Sequence, residues 1–230
     1  PDIVVLTKIS LDHTEILGDT EEKILMEKLQ IVGTNTKLLF TFLQEETINK
    51  LVEKFCKDKN IELIVYPHLV EKDYLSFNKE FALFIVNQIL AEHLQEDIER
   101  DILDIIHTIP GRMQVLRKEP ILLFDVGHNP SAISFILQSL KILYPFETHW
   151  NMYVGSLKDK DVKKILEILV KEPIVQKVFQ IVGVNWNTES ISHSKILHIA
   201  EEDIALSKIE SARLVLGSFR LYNQVKKNEC

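Results

Sequence analysis

Short apolar runs rich in β-branched residues alternate along the chain with stretches whose apolar residues recur every three or four positions. The runs predict strands over Ile3–Thr7, Lys37–Phe42, Ile61–Tyr66, Pro120–Asp125, Trp150–Val154, Val178–Val182 and Arg213–Leu216. The amphipathic stretches predict helices over Thr20–Ile31, Glu45–Lys57, Ser76–Leu94, Asp97–His107, Ser131–Leu143, Asp161–Val170, Ser194–Ala200 and Ser218–Lys226. Strands that alternate with helices of about ten residues or more indicate βαβ units and a mainly parallel sheet. The fold class is therefore α/β, and no repeat of the solenoid kind interrupts it.

The alternation breaks once. Two predicted helices follow each other and lead into Ile109-Pro110-Gly111-Arg112, where Pro followed by Gly is a strong breaker. That places a domain boundary near 108–114 and divides the chain into 1–110 and 111–230. The second part holds four strand–helix units and can close a core of its own. The first holds only three strands. With no initiator methionine and a start directly on a strand pattern, this creates the expectation of further sequence upstream.

Composition narrows the class. The chain has 230 residues, of which 46% are hydrophobic and 27% charged, ordinary values for a globular protein. At this length folding buries roughly 70–75% of the unfolded surface. A net charge of −7 argues against nucleic-acid binding, because a phosphate backbone demands a basic face. Acidity does not exclude a small phosphorylated ligand. Two cysteines, Cys56 and Cys230, give neither a disulfide framework nor a CxxC pattern, which fits a reducing, cytoplasmic setting. No apolar run reaches the roughly 18 residues that a bilayer span needs. The start Pro1-Asp2-Ile3-Val4 lacks the basic segment of a signal peptide.

Candidate chemistry lies mainly where predicted strands end, since ligands of open α/β sheets gather there. Leu11-Asp12-His13-Thr14-Glu15-Ile16-Leu17-Gly18 follows the first strand; His13 is either a ligand for metal or substrate or a solvated loop residue beside a capping Asp12. Lys28 sits in a helix that Thr20 can cap, where a lysine is ordinarily a solvated charge. Gly33-Thr34-Asn35-Thr36-Lys37 superficially suggests a phosphate loop, but Thr36 stands where glycine is required and Leu38 where Ser or Thr is. It also leads into a strand rather than a helix N-terminus, so it reads as an ordinary turn. Phe124-Asp125-Val126-Gly127-His128-Asn129-Pro130 is the most informative segment: an acid, an imidazole and a helix start converge on one strand end. That set can hold a nucleotide ribose and an anionic substrate; the alternative is a structural turn in which Asp125 only caps backbone. Gly217-Ser218 follows the last strand, with Ser218 open to a role as a helix cap.

Together these segments resemble the folylpolyglutamate synthase/dihydrofolate synthase family, relatives of the Mur ligases. His13 and its neighbours are similar to a DHxxxLG segment, and Glu27-Lys28 to an EKAGI stretch in which Leu29-Gln30 replace Ala-Gly. Pro110-Gly111-Arg112 resembles PGR, and Asp125–Pro130 resembles DGAHNP with Val126-Gly127 as the departure. Gly155 with Lys160-Asp161 resembles a G…DKD segment, and Gly217-Ser218 a terminal GS. The resemblance implies a Rossmann-like C-terminal glutamate-ligase domain at 111–230, preceded by the remainder of a P-loop-type central domain at 1–110. It implies that His13 ligates Mg²⁺, with Lys28 carbamylated beside the metal. It implies that Asn78 contacts ATP, that Arg112 and Asp125 hold its phosphate and ribose, and that His128 and Ser218 face glutamate or the acyl phosphate.

The implied reaction joins L-glutamate to dihydropteroate or a folate, using ATP to form an acyl phosphate that the amine then attacks. The implied protein is a cytoplasmic monomer. The family's GTNGKGS-type loop does not occur in these 230 residues, so the chain alone is expected to be inactive. Two rivals share part of the pattern: a Mur-type ligase acting on a peptidoglycan precursor, and a truncated non-catalytic paralogue. The Leu17-Gly18 continuation favours the folate branch.

Overall fold

The computed structural model describes residues 1–11, 18–67, 72–90, 109–204 and 211–229, with side chains up to residue 225. Its contacts divide the chain into two compact units, one of residues 1–71 and 77–100 and the other of 72–76 and 101–230.

The described part of the first unit is a three-stranded parallel sheet with helices on both faces. Strands β1 (Ile3–Val5), β2 (Leu38–Phe42) and β3 (Glu62–Tyr66) lie in the order β1-β2-β3. Helix α1 (Glu21–Leu29) starts at Thr20, whose hydroxyl accepts the Lys23 N–H at 3.3 Å, with Glu21 and Glu22 in the first turn. Helix α2 (Glu46–Lys59) stops at Asn60, which takes a left-handed conformation at φ 56°. These helices bury Ile24, Leu25, Ile48 and Val52 against Val4 and Leu39. The other face packs Phe40 and Phe42 on Phe81 of α3 (Tyr74–Leu90). Gly33–Lys37 is a turn closed by Thr36, which donates its N–H to the Gly33 carbonyl at 3.2 Å, and it runs into β2.

The second unit is built on a six-stranded sheet, β4-β5-β9-β6-β7-β8. Its strands are β4 (Gln114–Lys118), β5 (Ile121–Asp125), β6 (Trp150–Gly155), β7 (Val175–Val182), β8 (Ile196–Ala200) and β9 (Ala212–Gly217). All pairings are parallel except β4 with β5. The central strands β5, β9 and β6 are buried on both faces under helices on either side, and mostly apolar, with Asn151 on β6 and Arg213 on β9 among the buried polar exceptions. On one face α4 (Pro130–Leu143) and α5 (Val162–Lys171) cover Leu123, Met152 and Leu214. On the other, Leu221 and Val225 of α6 (Phe219–Glu229) pack on Phe124, Tyr153 and Val215.

Two elements depart from the sequence expectation. The predicted helix Ser194–Ala200 is strand β8, paired with β7 from Ile196↔Val178 to Ala200↔Val182. Seven residues are too few for periodicity to separate helix from strand, and the open edge of β7 decides the outcome. Strand β4 was not anticipated. The predicted helix over Asp97–His107 lies outside the described residues. Among those residues, no helix is long and apolar enough to cross a membrane.

At one end of the sheet the backbones of β6 and β9 approach so closely that side chains are excluded. A Cβ on Gly217 would fall 2.0 Å from the Gly155 carbonyl oxygen, and its φ of 125° is strained for any L side chain. Gly217→Ala is therefore expected to destabilise the domain by about 3 kcal/mol or more. A lowered midpoint in urea unfolding followed by circular dichroism checks it.

Candidate functional site

Strand β5 ends in a carboxylate. Asp125 shares with Leu123 the face that α4 covers, and only 2% of it is exposed. A buried carboxylate requires donors, and Asp125 has three. Its Oδ2 accepts from the Tyr74 hydroxyl and from the Met113 N–H at 2.8 Å. Its Oδ1 accepts from the Gly127 N–H at 2.7 Å. Burial nevertheless outweighs these donors and the nearby Arg112 charge, and holds the Asp125 pKa above the ordinary carboxylate range. Burial, reinforced by the Asp125 charge, likewise pushes the Tyr74 phenol far above its usual value, so Tyr74 remains a donor.

The loop before β4 is fixed to the same carboxylate. Gly111 adopts a φ of 74°, and a Cβ there would meet Val126 and Phe219 at 2.9 Å. Its carbonyl accepts the Val126 N–H at 2.9 Å, and its N–H donates to Gln114 Oε1, itself tied to the Tyr222 hydroxyl. This brace sets Met113 over Asp125 and leaves Arg112 exposed. Among the described residues, the Arg112 guanidinium makes a 3.5 Å contact with the Gly111 carbonyl, a geometry that suits an anion.

After β5 the chain turns tightly. A Cβ on Gly127 would lie 2.4 Å from Ile136, which makes the position one for glycine. His128 Nδ1 lies 2.9 Å from the Val126 carbonyl oxygen. A carbonyl only accepts, so Nδ1 carries a proton, and in the neutral ring Nε2 presents a lone pair. Asn129 caps α4 by accepting the Ala132 N–H at 2.8 Å, and Pro130 occupies the first helical position.

Sheet register brings further segments to this end. Asp125 pairs with Leu216, and Gly155 with Gly217, so Ser218 and the loop after β6 emerge beside β5. Ser218 is half-buried, and its Oγ accepts the Arg220 N–H at 3.2 Å at the start of α6. The loops after β6 and β7 are joined by Asn187, whose N–H donates to the Ser156 carbonyl at 2.7 Å and whose Nδ2 donates to that of Lys160 at 2.9 Å. Gln180 supports this from beneath by donating to the Asn187 and Glu189 carbonyls.

The structure thus gathers Arg112, Asp125, His128 and Ser218 at one sheet end. Lys28 and Asn78 are exposed residues of the first unit, on α1 and α3, and His13 lies outside the described residues. Tyr74 and Asn187 carried no signal in the sequence, because the contacts that tie each to this site are with partners distant along the chain, Asp125 for Tyr74 and Ser156 and Lys160 for Asn187. The cationic depression lined by Lys37, Lys57, Lys59 and Asn60 lies at the N-terminal ends of β2 and β3, the end opposite to where such sheets bind ligands.

The raised Asp125 pKa has a testable sign. The folded state keeps this proton to higher pH than the unfolded chain, so protons bound in the folded state exceed those in the unfolded state between the two values. Its stabilising contribution is complete below the ordinary carboxylate value and is lost as pH rises through the raised one. The stability difference between the wild-type chain and Asp125→Asn is therefore expected to fall with rising pH across that window. Urea midpoints for both chains, from acid to neutral pH, measure it.

Residues 111–213 match the Mur ligase, glutamate ligase domain family. The dihydrofolate synthase/folylpolyglutamate synthase of Escherichia coli K12 is 27% identical over 184 residues, covering 70% of this chain and 42% of that protein. Its counterpart from Buchnera aphidicola subsp. Baizongia pistaciae is 25% identical over 202 residues, covering 76% and 44%. The chain therefore spans less than half the length of these two relatives. Among solved structures, Mycobacterium tuberculosis folylpolyglutamate synthase complexed with ADP and AMPPCP superposes with a TM-score of 0.78 at 17% identity, over 99% of this chain and 64% of that one. E. coli FolC in complex with ADP gives 0.77 at 22% identity, over 98% and 61%. These likenesses establish a shared fold. With the matching domain, the curated relatives make this chain similar to the folylpolyglutamate synthase/dihydrofolate synthases over most of its length.

Proposed function

We propose that this chain carries the glutamate-ligase part of an enzyme that joins L-glutamate to dihydropteroate or a folate at the expense of ATP. The observation that carries the reading is the convergence of Arg112, Asp125, His128 and Ser218 on one end of the β5-β9-β6 sheet, the first three within residues 111–213, which match a glutamate ligase domain. Arg112, an exposed guanidinium on a braced loop, suits a nucleotide phosphate, and Asp125 suits a ribose hydroxyl. The lone pair on His128 Nε2 suits the amine of glutamate: it can accept the proton released as nitrogen attacks the acyl phosphate and phosphate leaves. Ser218 supplies a hydroxyl for the glutamate carboxylate or the acyl phosphate. Much of the rate would come from placing amine and acyl phosphate within reach.

In this reading Asn78 contacts ATP, and His13 with a carbamylated Lys28 holds Mg²⁺. Magnesium requires about six oxygen-type ligands in octahedral array. An uncarbamylated Lys28 offers none, and the described residues contain no group of three His, Cys, Asp or Glu able to hold a metal ion. The described residues by themselves do not make a magnesium site, so no step is assigned to the metal. The protein's cytoplasmic location and monomeric state belong to the same proposal.

The test is binding and turnover by the 230-residue chain. ADP is expected to bind, and Arg112→Ala to weaken it by about 10-fold, the loss of a charge-assisted hydrogen bond. ADP affinity unchanged in Arg112→Ala contradicts the reading. With ATP, glutamate and dihydropteroate the chain is expected to show no turnover, and glutamate-dependent release of phosphate contradicts that part.

A further inference from the structure

Three donors surround Asp125, and they are not equivalent. The Met113 and Gly127 N–H groups belong to the backbone. The Gly111–Gln114–Tyr222 brace fixes the first, and the β5–α4 turn, packed on Ile136, fixes the second. The third is the hydroxyl of Tyr74, a half-buried side chain. Its own backbone is anchored independently: the Tyr74 N–H donates to Ser139 Oγ at 3.0 Å, and Asp73 accepts the Leu75 and Ser76 N–H groups. The first turn of α3 is thus held without the phenol, which also packs on the apolar core beside α4, so leaving Asp125 means rotating the ring off that core while the turn stays in place.

A carboxylate offers about four lone-pair positions. Here three are taken, and with 2% of the residue exposed the fourth is closed to a ligand. An additional hydroxyl cannot reach Asp125 while Tyr74 is bound to it. We propose that Tyr74 is a nucleotide-gating residue: its hydroxyl occupies on Asp125 the position of a ribose hydroxyl, and nucleotide binding exchanges one O–H donor for the other. The proposal rests on the reading of Asp125 as a ribose acceptor. In hydrogen bonding the exchange replaces like with like, so its cost is that of rotating the phenol off the apolar residues it packs against. It reduces the observed affinity by the fraction of chains in which Tyr74 is already out.

The test is calorimetric titration of the 230-residue chain and of Tyr74→Phe with ADP and with 2′,3′-dideoxy-ADP. Tyr74→Phe is expected to bind ADP about 5-fold more tightly, since a competing donor is gone. Dideoxy-ADP, which has no ribose hydroxyl to exchange, is expected to bind both chains alike. A second readout needs no variant: in the wild-type chain, ADP should make one additional tyrosine titratable, seen in the tyrosinate absorbance at alkaline pH. ADP binding that is unchanged or weaker in Tyr74→Phe, or no added titratable tyrosine, overturns the gating role alone. Absence of ADP binding by either chain overturns the nucleotide reading and the gating role with it.

Discussion

The second unit is organised around the buried carboxylate of Asp125. Asp125 lies where a completely apolar strand ends, and its desolvation is tolerable only because three donors are brought to it from three separate stretches of chain. Each donor imposes a local structure. The Met113 amide requires the Gly111 turn, the Gly127 amide requires the tight entry into α4, and Tyr74 requires the start of α3. The exposed Arg112 and the half-buried His128 are positioned as consequences, because each projects from a segment whose backbone is tied to that carboxylate or to its neighbour Val126.

The remaining site residues depend on a different constraint, the close approach of β6 and β9. Gly155 and Gly217 lie opposite each other without room for a side chain, and their chains then diverge into the loop toward α5 and into α6. The divergence places Ser218 beside the turn after β5. Asn187 and Gln180 hold the adjoining loops with buried amide hydrogen bonds, so this end of the sheet is a set of fixed turns.

The fold was largely legible because its signals are local. The largely apolar runs at β5, β6 and β9 and the Asn129-Pro130 helix start carry their own physical reason. Strand β8 was misread because Ser194–Ala200 fits two periods equally, and β4 was missed because Gln-Val-Leu-Arg-Lys has meaning only beside β5. The residues around Asp125 were legible as a candidate site for the same local reason. Tyr74 was not: it lies 51 residues before its partner at an unremarked helix start, and nothing in its neighbourhood marks a hydroxyl bound for a buried acid. Lys28 is a different case, since an exposed lysine in a last helical turn has a sufficient explanation in the helix dipole.

The central claim is that the C-terminal end of β5 is where nucleotide binds. Mapping ADP onto the backbone amides of the 230-residue chain by nitrogen–proton correlation NMR tests it most directly. The account predicts saturable shifts at Gly111, Met113 and Gly127, the amides bound to Asp125 or to its brace. Saturable ADP binding that leaves those three amides unmoved and instead shifts Lys37 and Asn60, at the opposite end of the first sheet, would contradict it.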